Sequence, residues 1–268
     1  MKQEIDVIIF SGQSNMEGET ECLLDDSVIE GAIEYRYLSD SLLPLHGYAG
    51  ENLLYGMKEG YSCVTGVDTG KWIDDHVTGC PGGGHTNMVP QFCKHYIAET
   101  GMMTAAVHIA KGASVIEFWL PGNPGWDALC EKGHAAFRKI DEQYTVRRVY
   151  FVWLQGESDA IMGNSKDYYK EKITELAGHL KEEFGVAAFG VIRVGRFTMD
   201  ARDDVIITAQ DEICAENDFF VMLSTAATAL NETTEYMNPY AFGHYSAKGQ
   251  EYLGREAGTA LGKYAAEN

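Results

Sequence analysis

Ser14 is the first residue of this chain whose type and setting could support covalent chemistry. It stands in SGQSNMEG, residues 11–18, directly after the apolar run IDVIIF. A hydroxyl at a strand-to-helix turn can project into a crevice, and its own backbone N–H can face a developing oxyanion. A serine in such a turn is far more often a helix cap than a nucleophile. Nucleophilic chemistry therefore requires a histidine and further oxyanion donors elsewhere in the chain.

His244 is the histidine best placed to serve Ser14. It lies in NPYAFGHYSAKGQEYLG, residues 238–254, after the last predicted strand and just before a helix cap. An isolated histidine in a loop would usually have no catalytic role. The order of serine first and histidine near the C-terminal end favours a nucleophile and its base.

Two more apolar segments end in residues that could complete a site around Ser14. In AKGASVIEFW, residues 110–119, Gly112 allows close approach of the backbone, so its N–H could donate to an oxyanion. In VWLQGESDA, residues 152–160, an amide could donate to an oxyanion and a carboxylate could orient a histidine. The plainer interpretations are a glycine at a strand exit and a polar loop that caps the next helix.

A further segment, FGVIRVGRF at residues 189–197, carries Arg193 within its apolar run and Arg196 just after it. Arginine is rarely buried without a partner. An internal ion pair, for example with Glu157, is the default interpretation. A substrate carboxylate or hydroxyl is the alternative.

These residues need a scaffold, and five apolar segments are predicted to be its buried strands. They are Asp6–Phe10, Thr104–Ala110, Arg148–Leu154, Val186–Val194 and Phe219–Leu223. Helical patterns lie between several of them, most clearly at Asp167–Phe184, where Asp167 can cap the start and Gly185 follows the end. This alternation predicts a three-layer α/β/α sandwich with a central, mostly parallel five-stranded sheet. Ligands of such sheets bind beyond the carboxyl ends of the strands, where Ser14 lies.

Residues 18–87 interrupt the alternation, since they are rich in Gly, Tyr, Asp and Ser. We predict a single domain over residues 1–268, with residues 18–87 as a long loop insertion near the active-site edge. A helix is predicted at Asn87–Glu99 and a last helix at Ser246–Tyr264.

The composition argues against several classes of function. The 268 residues carry a net charge of −19, from 40 acidic and 21 basic side chains, which is the opposite of what a nucleic-acid binder needs. No apolar run is long enough to span a membrane. The six cysteines lack the close pairs of zinc or redox motifs, so reduced thiols are expected. The segment MKQEIDVIIFSG lacks the pattern of a signal peptide, so we expect a cytoplasmic protein.

Four motifs together form a recognisable series. They are GQSNM after the first strand, GASxIxxW after the second, WxQGESD after the third, and GHYSxxGQxxLG near the end. The sequence thereby resembles the SGNH-hydrolase superfamily, specifically the sialate O-acetylesterase-like carbohydrate esterases that include acetylxylan esterases. The motifs run from residue 12 to residue 254 in family order. The resemblance implies a flavodoxin-like, three-layer α/β sandwich that needs no cofactor or metal.

The resemblance also implies roles for individual residues. Ser14 is the nucleophile and His244 the general base. The N–H groups of Ser14 and Gly112 and the side chain of Gln155 form the oxyanion hole. Candidate substrate contacts are Gln13, Asn15, Arg193 and Arg196.

One position departs from the family pattern. The family usually has Asp three residues before the catalytic histidine, to fix its tautomer, whereas this chain has Ala241. Loss of such an acid can cost on the order of 10⁴ in rate. Glu157 is the first candidate to replace it, and Asp159 and Glu235 follow. A Ser–His dyad in which a backbone carbonyl orients His244 is the other possibility.

The predicted function is serine-dependent hydrolysis of acetyl esters on a sugar, either sialic acid or a xylo-oligosaccharide. Sialic acid is an anion and would need a cation such as Arg193 or Arg196. A neutral xylan fragment would prefer aromatic platforms, for which Trp72, Trp119 and Trp126 are candidates. The alternative is a non-catalytic carbohydrate-binding relative that has lost the triad acid.

Overall fold

Seven strands alternate with helices in the computed structural model, which describes residues 2–37, 39–47 and 86–268. The strands are β1 (Gln3–Gly12), β2 (Val28–Arg36), β3 (Ser41–His46), β4 (Thr104–Ala110), β5 (Tyr144–Leu154), β6 (Ala188–Ile192) and β7 (Phe220–Ser224). The helices are α1 (Ser14–Glu17), α2 (Val89–Thr100), α3 (Pro124–Gln143), α4 (Glu157–Met162), α5 (Lys166–Phe184), α6 (Ala201–Glu216), α7 (Ala227–Asn231) and α8 (Ala247–Glu267). Short 3₁₀ turns span Ile116–Trp119 and Thr234–Tyr236.

The strands form one sheet in the order β3-β2-β4-β1-β5-β6-β7. Every neighbouring pair is parallel except β2 and β3, which are antiparallel. β1 lies at the centre, between β4 and β5, and both neighbours pair with it as far as Gly12. The carboxyl ends of β1, β4 and β5 therefore meet at one edge of the sheet.

The predicted sheet of five strands is wrong in number, because the described residues form seven. All five predicted strands are present with small shifts at their ends, and β2 and β3 lie within residues 18–87, the predicted loop insertion. The sequences of β2 and β3 lack the continuous apolar pattern that predicts a buried strand. Glu34 and Arg36 form an ion pair of 2.5 Å inside β2, and Gly31 lies where the register of β2 against β3 shifts. β3 tolerates Pro44 because it is an edge strand.

The two faces of the sheet are covered by different helices. Tyr150 of β5 contacts Tyr96 of α2, with ring centroids 6.1 Å apart, and α8 packs against α2 on this face. Trp153 points to the opposite face, where it donates to the hydroxyl of Tyr169 in α5 and contacts Trp119. Trp119 is fully buried, so it belongs to the core and is no sugar platform.

Capping chemistry sets the ends of the helices that flank the site. α5 begins one residue earlier than predicted, because Ser165 rather than Asp167 is its cap and accepts the N–H three residues on at 3.2 Å. Gly185 ends it with φ of 65°. α8 begins after Ser246, which accepts the N–H three residues on at 3.3 Å. Ser246 follows His244 by two residues, so this cap fixes one end of the histidine loop.

Two expectations from composition concern the described residues. The described cysteines, all free thiols, are Cys22, Cys93, Cys130 and Cys214. Cys63, Cys80 and Trp72 lie outside the described residues. Within the described ranges, no helix combines the length and apolar character needed to cross a membrane.

Gly12 ends β1 and lets the next turn pass close to β5. Its φ is 151°, and a Cβ there would lie 2.0 Å from the carbonyl oxygen of Leu154. The N–H of Gln13 donates to that same oxygen at 3.1 Å. A side chain at residue 12 would therefore displace the backbone that carries Ser14.

Gly12→Ala is expected to destabilise the fold by about 3 kcal/mol, because the new methyl group overlaps a backbone carbonyl. Gly101→Ala is the matched control. Gly101 also has positive φ, 66°, but nothing lies within 4 Å of its Cβ position. This control should cost only about 1 kcal/mol of backbone strain. Urea unfolding of both variants measures the difference, and equal costs would contradict the steric role of Gly12.

Candidate active site

A pocket lies beyond the carboxyl ends of β1, β4 and β5, where the chain order of the strands changes direction across the sheet. It brings together Ser14, Gly112 and His244, which the sequence analysis placed in one site. The described residues that line it are Gln13, Ser14, Glu17, Glu19, Lys111, Gly112, Ala113, Ser158, Ile161, Phe197 and His244.

Ser14 and His244 are in direct contact. His244 Nε2 lies 2.7 Å from Ser14 Oγ, although 230 positions separate the residues in sequence. Ser14 is the first residue of α1, so its N–H has no acceptor within the helix. The ring of Phe197 packs edge-to-face on the imidazole, with centroids 5.8 Å apart, and restricts its rotation.

A backbone carbonyl orients His244. Its Nδ1 lies 2.9 Å from the carbonyl oxygen of Phe242. A carbonyl oxygen only accepts hydrogen bonds, so Nδ1 carries the proton and Nε2 presents its lone pair to Ser14 Oγ. Gly243 between them has φ of 75°, and a Cβ there would lie 2.3 Å from the ring of Phe197. This geometry corresponds to the dyad alternative.

Glu157, predicted as the replacement acid, is not hydrogen-bonded to His244. Its Oε1 accepts from Asn15 Nδ2 at 2.8 Å, and its Oε2 is buried without a hydrogen-bond partner among the described residues. Burial raises the pKa of Glu157, against the opposing effects of the Asn15 hydrogen bond and the nearby imidazole. The carboxylate thus supports the turn rather than His244 Nδ1.

Asn15 connects the turn that carries Ser14 to the loop that carries His244. Besides the bond to the carboxylate of α4, its Nδ2 donates to the carbonyl oxygen of Gly243 at 3.2 Å. Its Oδ1 accepts the N–H of Tyr245 at 3.2 Å, and its backbone oxygen accepts Gln250 Nε2 at 2.9 Å. Asn15, which was predicted to contact substrate, is only 1% exposed and is not among the residues that line the pocket. It positions His244 instead.

Gly112 lines the pocket, but a carboxylate accepts its N–H. The acceptor is Glu17 Oε1, at 2.8 Å. Burial raises the pKa of the Glu17 carboxyl to about 7, and the charge of Glu19 adds to this effect. The hydrogen bond from Gly112 and the positive charge of Lys111 act in the opposite direction.

Gln155, which was predicted to complete the oxyanion hole, does not line the pocket. The side chain is fully buried, and its Nε2 donates to the carbonyl oxygen of Ser114 at 2.8 Å and to Asp159 at 2.5 Å. Its Oε1 accepts from a tyrosine hydroxyl of α5 at 3.1 Å. The side-chain amide of Gln155 is therefore hydrogen-bonded beneath the loop after β4. Two other acids were considered for His244. Asp159 belongs to this hydrogen-bond network, and Glu235 forms an ion pair of 3.5 Å with a lysine of α8.

Arg193 and Arg196 do not line the pocket. Arg193 lies 2.9 Å from Asp211, and Arg196 lies 2.5 Å from Asp204. Both acids belong to α6. The default interpretation of an internal ion pair is therefore the observed one, with partners other than Glu157, and both arginines, which were predicted to contact substrate, lie away from the pocket lining.

Gln13 does line the pocket. Its Oε1 accepts the N–H of Ser158 at 3.1 Å, which connects the turn that carries Ser14 to α4. Seven other lining residues were not predicted from the sequence, namely Glu17, Glu19, Lys111, Ala113, Ser158, Ile161 and Phe197. Proximity to a motif was a usable signal for several, since Glu17 follows GQSNM directly and Lys111 precedes Gly112. Nothing in the sequence marks Phe197.

One group of described side chains has the composition of a metal site. Ligand atoms of Cys130, His134 and Glu183 lie within 4.8 Å of one another. His134 and Glu183 already form an ion pair of 2.6 Å. None of the three lines the pocket, so this group is separate from Ser14 and His244.

The sequence matches a family model. The model describes carbohydrate esterases that are sialic acid-specific acetylesterases, and it matches residues 84–262, more than half of the chain. No curated protein is significantly similar in sequence.

Several solved structures share the fold. A protein from Arabidopsis thaliana is 16% identical, with a TM-score of 0.62 and coverage of 100% of this chain and 99% of that one. NanS is 12% identical, with a TM-score of 0.64 and coverage of 100% and 99%. A carbohydrate acetylesterase from Xanthomonas citri is 15% identical, with a TM-score of 0.55, and the match covers 98% of this chain but 57% of that one. The predicted α/β fold is confirmed.

Glu157→Gln tests whether this carboxylate is needed. Glutamine keeps an oxygen for Asn15 Nδ2 and removes a buried charge. Because burial raises the pKa of Glu157, ionisation destabilises the fold, and this cost appears above the ordinary value of 4.5 and grows as the pH rises. We expect the variant to be at least as stable as wild type at pH 8, with the advantage lost near pH 4. Thermal melts across this range measure it.

The esterase rate of Glu157→Gln is the second readout. We expect kcat/KM to stay within about threefold of wild type, since the carbonyl of Phe242 still orients His244; a loss near 10⁴ would instead identify Glu157 as the missing acid.

Asp159→Asn is the contrasting variant for stability. Asp159 accepts three hydrogen bonds, so its replacement should lower the free energy of unfolding by about 2 kcal/mol.

Proposed function

Because the chain belongs to the carbohydrate esterase family of sialic acid-specific acetylesterases, we propose that it hydrolyses O-acetyl esters of a sugar with Ser14 as nucleophile and His244 as general base. The contact of 2.7 Å between Ser14 Oγ and His244 Nε2 is the observation that carries this proposal. A hydroxyl bound to an imidazole whose other nitrogen is held by an acceptor is set up for deprotonation as it attacks.

Acylation begins when Ser14 Oγ attacks the acetyl carbonyl carbon and its proton passes to His244 Nε2. The carbonyl oxygen becomes the oxyanion of a tetrahedral intermediate, for which the N–H groups of Ser14 and Gly112 are the proposed donors. Collapse of the intermediate breaks the bond to the sugar oxygen, which takes the proton from Nε2. The sugar leaves with a free hydroxyl, and the acetyl group remains on Ser14.

Deacylation repeats these steps with water. His244 Nε2 takes a proton from water as its oxygen attacks the acetyl carbon, and the same donors serve the second oxyanion. Collapse returns the proton to Ser14 Oγ and releases acetate. The imidazolium formed in each half-reaction is supported by the Phe242 carbonyl, which accepts from Nδ1, in place of the usual aspartate.

A non-catalytic carbohydrate-binding relative is the second candidate, and Ala241 is the observation that favours it. The contact between Ser14 and His244 argues for catalysis, since binding alone does not require it. Reaction of Ser14 with a fluorophosphonate separates the two, because only an activated serine is labelled at an appreciable rate.

Ser14→Ala is expected to lower kcat/KM for p-nitrophenyl acetate by at least about 10³, because the nucleophile is lost. Ser11→Ala is the matched control, as Ser11 lies in the same SGQS segment and is fully buried, outside the pocket lining. It should keep wild-type activity. Equal rates for wild type and Ser14→Ala would refute the nucleophile. If the wild-type protein binds glycans but shows no turnover, the non-catalytic carbohydrate-binding alternative would be favoured.

The charges around the pocket favour a neutral sugar over sialic acid. Glu17 and Glu19 line it, and Lys111 is the single lysine or arginine among the described lining residues. Lys111 Nζ donates to the carbonyl oxygen of Gly112 at 2.8 Å, and its charge acts on Glu17. A substrate carboxylate would meet two carboxyl groups, since the arginines predicted to receive it are paired elsewhere.

We expect an acetylated neutral xylo-oligosaccharide to be hydrolysed with kcat/KM about tenfold above that of an O-acetylated sialic acid at low ionic strength, because like charges repel in a partly buried pocket. Measuring both substrates at low and at high salt supplies the control, since screening should narrow the ratio. A preference for the sialic acid ester would contradict this assignment while leaving the roles of Ser14 and His244 intact.

A further inference from the structure

The Glu17 carboxyl group lies beside the backbone N–H of Gly112, which the proposed mechanism assigns to the oxyanion. Its Oε1 accepts the N–H of Gly112 at 2.8 Å. A Cβ built on Gly112 would lie 3.0 Å from Glu17 Oε2 and 3.5 Å from Ser14 Cβ, so the carboxyl group fills the space beside Gly112 that borders on Ser14. Glu17 is 8% exposed, which leaves its carboxyl group with little contact with solvent.

This placement conflicts with the proposed mechanism, on which the inference rests. The N–H of Gly112 has one hydrogen to donate, and the mechanism assigns it to the oxyanion. We propose that the Glu17 carboxylate is an internal competitor for the Gly112 N–H, and that the oxyanion must displace it in each half-reaction. Glu17 thereby sets the rate of the reaction without forming or breaking a bond to the substrate.

Among the described residues, the charged and titratable groups that line the pocket with Glu17 come from three segments. Glu19 follows it in its own segment, Lys111 comes from the loop after β4, and His244 comes from the loop before α8. An ionised Glu17 forms a charge-assisted hydrogen bond to Gly112 and repels the negative charge of the intermediate. A neutral carboxyl group accepts more weakly and exerts no such repulsion, so it competes less.

The direction of the pH effect follows from the ionisation of Glu17. Burial raises the pKa of Glu17 to about 7, so the carboxyl group becomes predominantly neutral as the pH falls below 7 and predominantly ionised as it rises above 7. Competition is therefore strongest on the alkaline side. Glu17 thus lowers the rate on the alkaline side.

Glu17→Gln is the test, since glutamine keeps the shape but never carries the charge. At pH 8, where wild-type Glu17 is mostly ionised, kcat/KM for p-nitrophenyl acetate is expected to rise about tenfold, because a charge-assisted bond is replaced by a weaker neutral one. At pH 6 the variant and wild type should differ by about twofold or less. Glu17→Ala, which also empties the space, should be at least as fast as Glu17→Gln at pH 8.

Glu19→Gln is the matched control for charge. It removes a negative charge from the same pocket, where Glu19 lies 3.9 Å from His244 Nε2, without touching the Gly112 N–H. Because Glu19 also lines the pocket, it serves as a contrasting variant: we expect its gain in kcat/KM at pH 8 to be smaller than that of Glu17→Gln. Melting temperatures of all variants check that the fold is retained. If kcat/KM rises equally in Glu19→Gln and Glu17→Gln, the effect comes from the overall charge of the pocket, and the proposal that Glu17 competes for the Gly112 N–H is contradicted.

Two readouts separate failure of this inference from failure of the proposed function. The ¹⁵N–¹H signal of Gly112 should titrate with a midpoint near 7 in wild type and not in Glu17→Gln, whether or not turnover is detected. The rate at which a fluorophosphonate labels Ser14 at pH 8 should rise in Glu17→Gln, since the phosphonyl oxygen needs the same N–H. If neither the turnover nor the labelling rate rises, Glu17 does not compete. If Ser14→Ala remains fully active, the proposed function fails instead.

Discussion

The side chain of Asn15 is the constraint on which the geometry of the site depends. Ser14 and His244 come from opposite ends of the chain, and a contact of 2.7 Å between them tolerates little error in either backbone. Asn15 binds the carbonyl before His244 and the N–H after it, so the histidine loop is registered directly against the residue next to the nucleophile. Glu157 completes this arrangement by accepting the second hydrogen of the same amide.

Glu157 illustrates how a buried carboxylate can matter without joining the chemistry. Its burial is costly, yet the group accepts one hydrogen bond and leaves its other oxygen unpaired among the described residues. An amide hydrogen without an acceptor in the same position would also be costly. The carboxylate is therefore best understood as part of the support of the Asn15 amide. The imidazole of His244 is oriented by a group within its own loop, the carbonyl oxygen of Phe242.

The buried strands, and the residues that follow their ends, can be predicted from the sequence. β1 and the strands next to it contain continuous apolar runs, because both faces of a parallel sheet are covered, and the ends of β1 and β4 locate Ser14 and Gly112 by topology alone. His244 was predicted from its place between the last predicted strand and a helix cap. β2 and β3 escape prediction, since a buried ion pair, a glycine and a proline break their pattern. The end of a strand also fixes where a backbone lies without fixing where its side chains turn. Gln155, Asn15 and Arg193 illustrate this, because each side chain binds a tertiary partner that no local pattern reveals.

The carbonyl oxygen of Phe242 has a consequence for how this site tolerates genetic change. In a triad, one codon change at the acid removes the group that orients the histidine. Here that group belongs to the main chain, and every amino acid at position 242 supplies it. The orienting function is thus insensitive to the identity of its own residue and depends on the shape of the loop, which Gly243 and the Asn15 clamp maintain. Selection on this part of the site falls on backbone conformation instead of on a catalytic side chain.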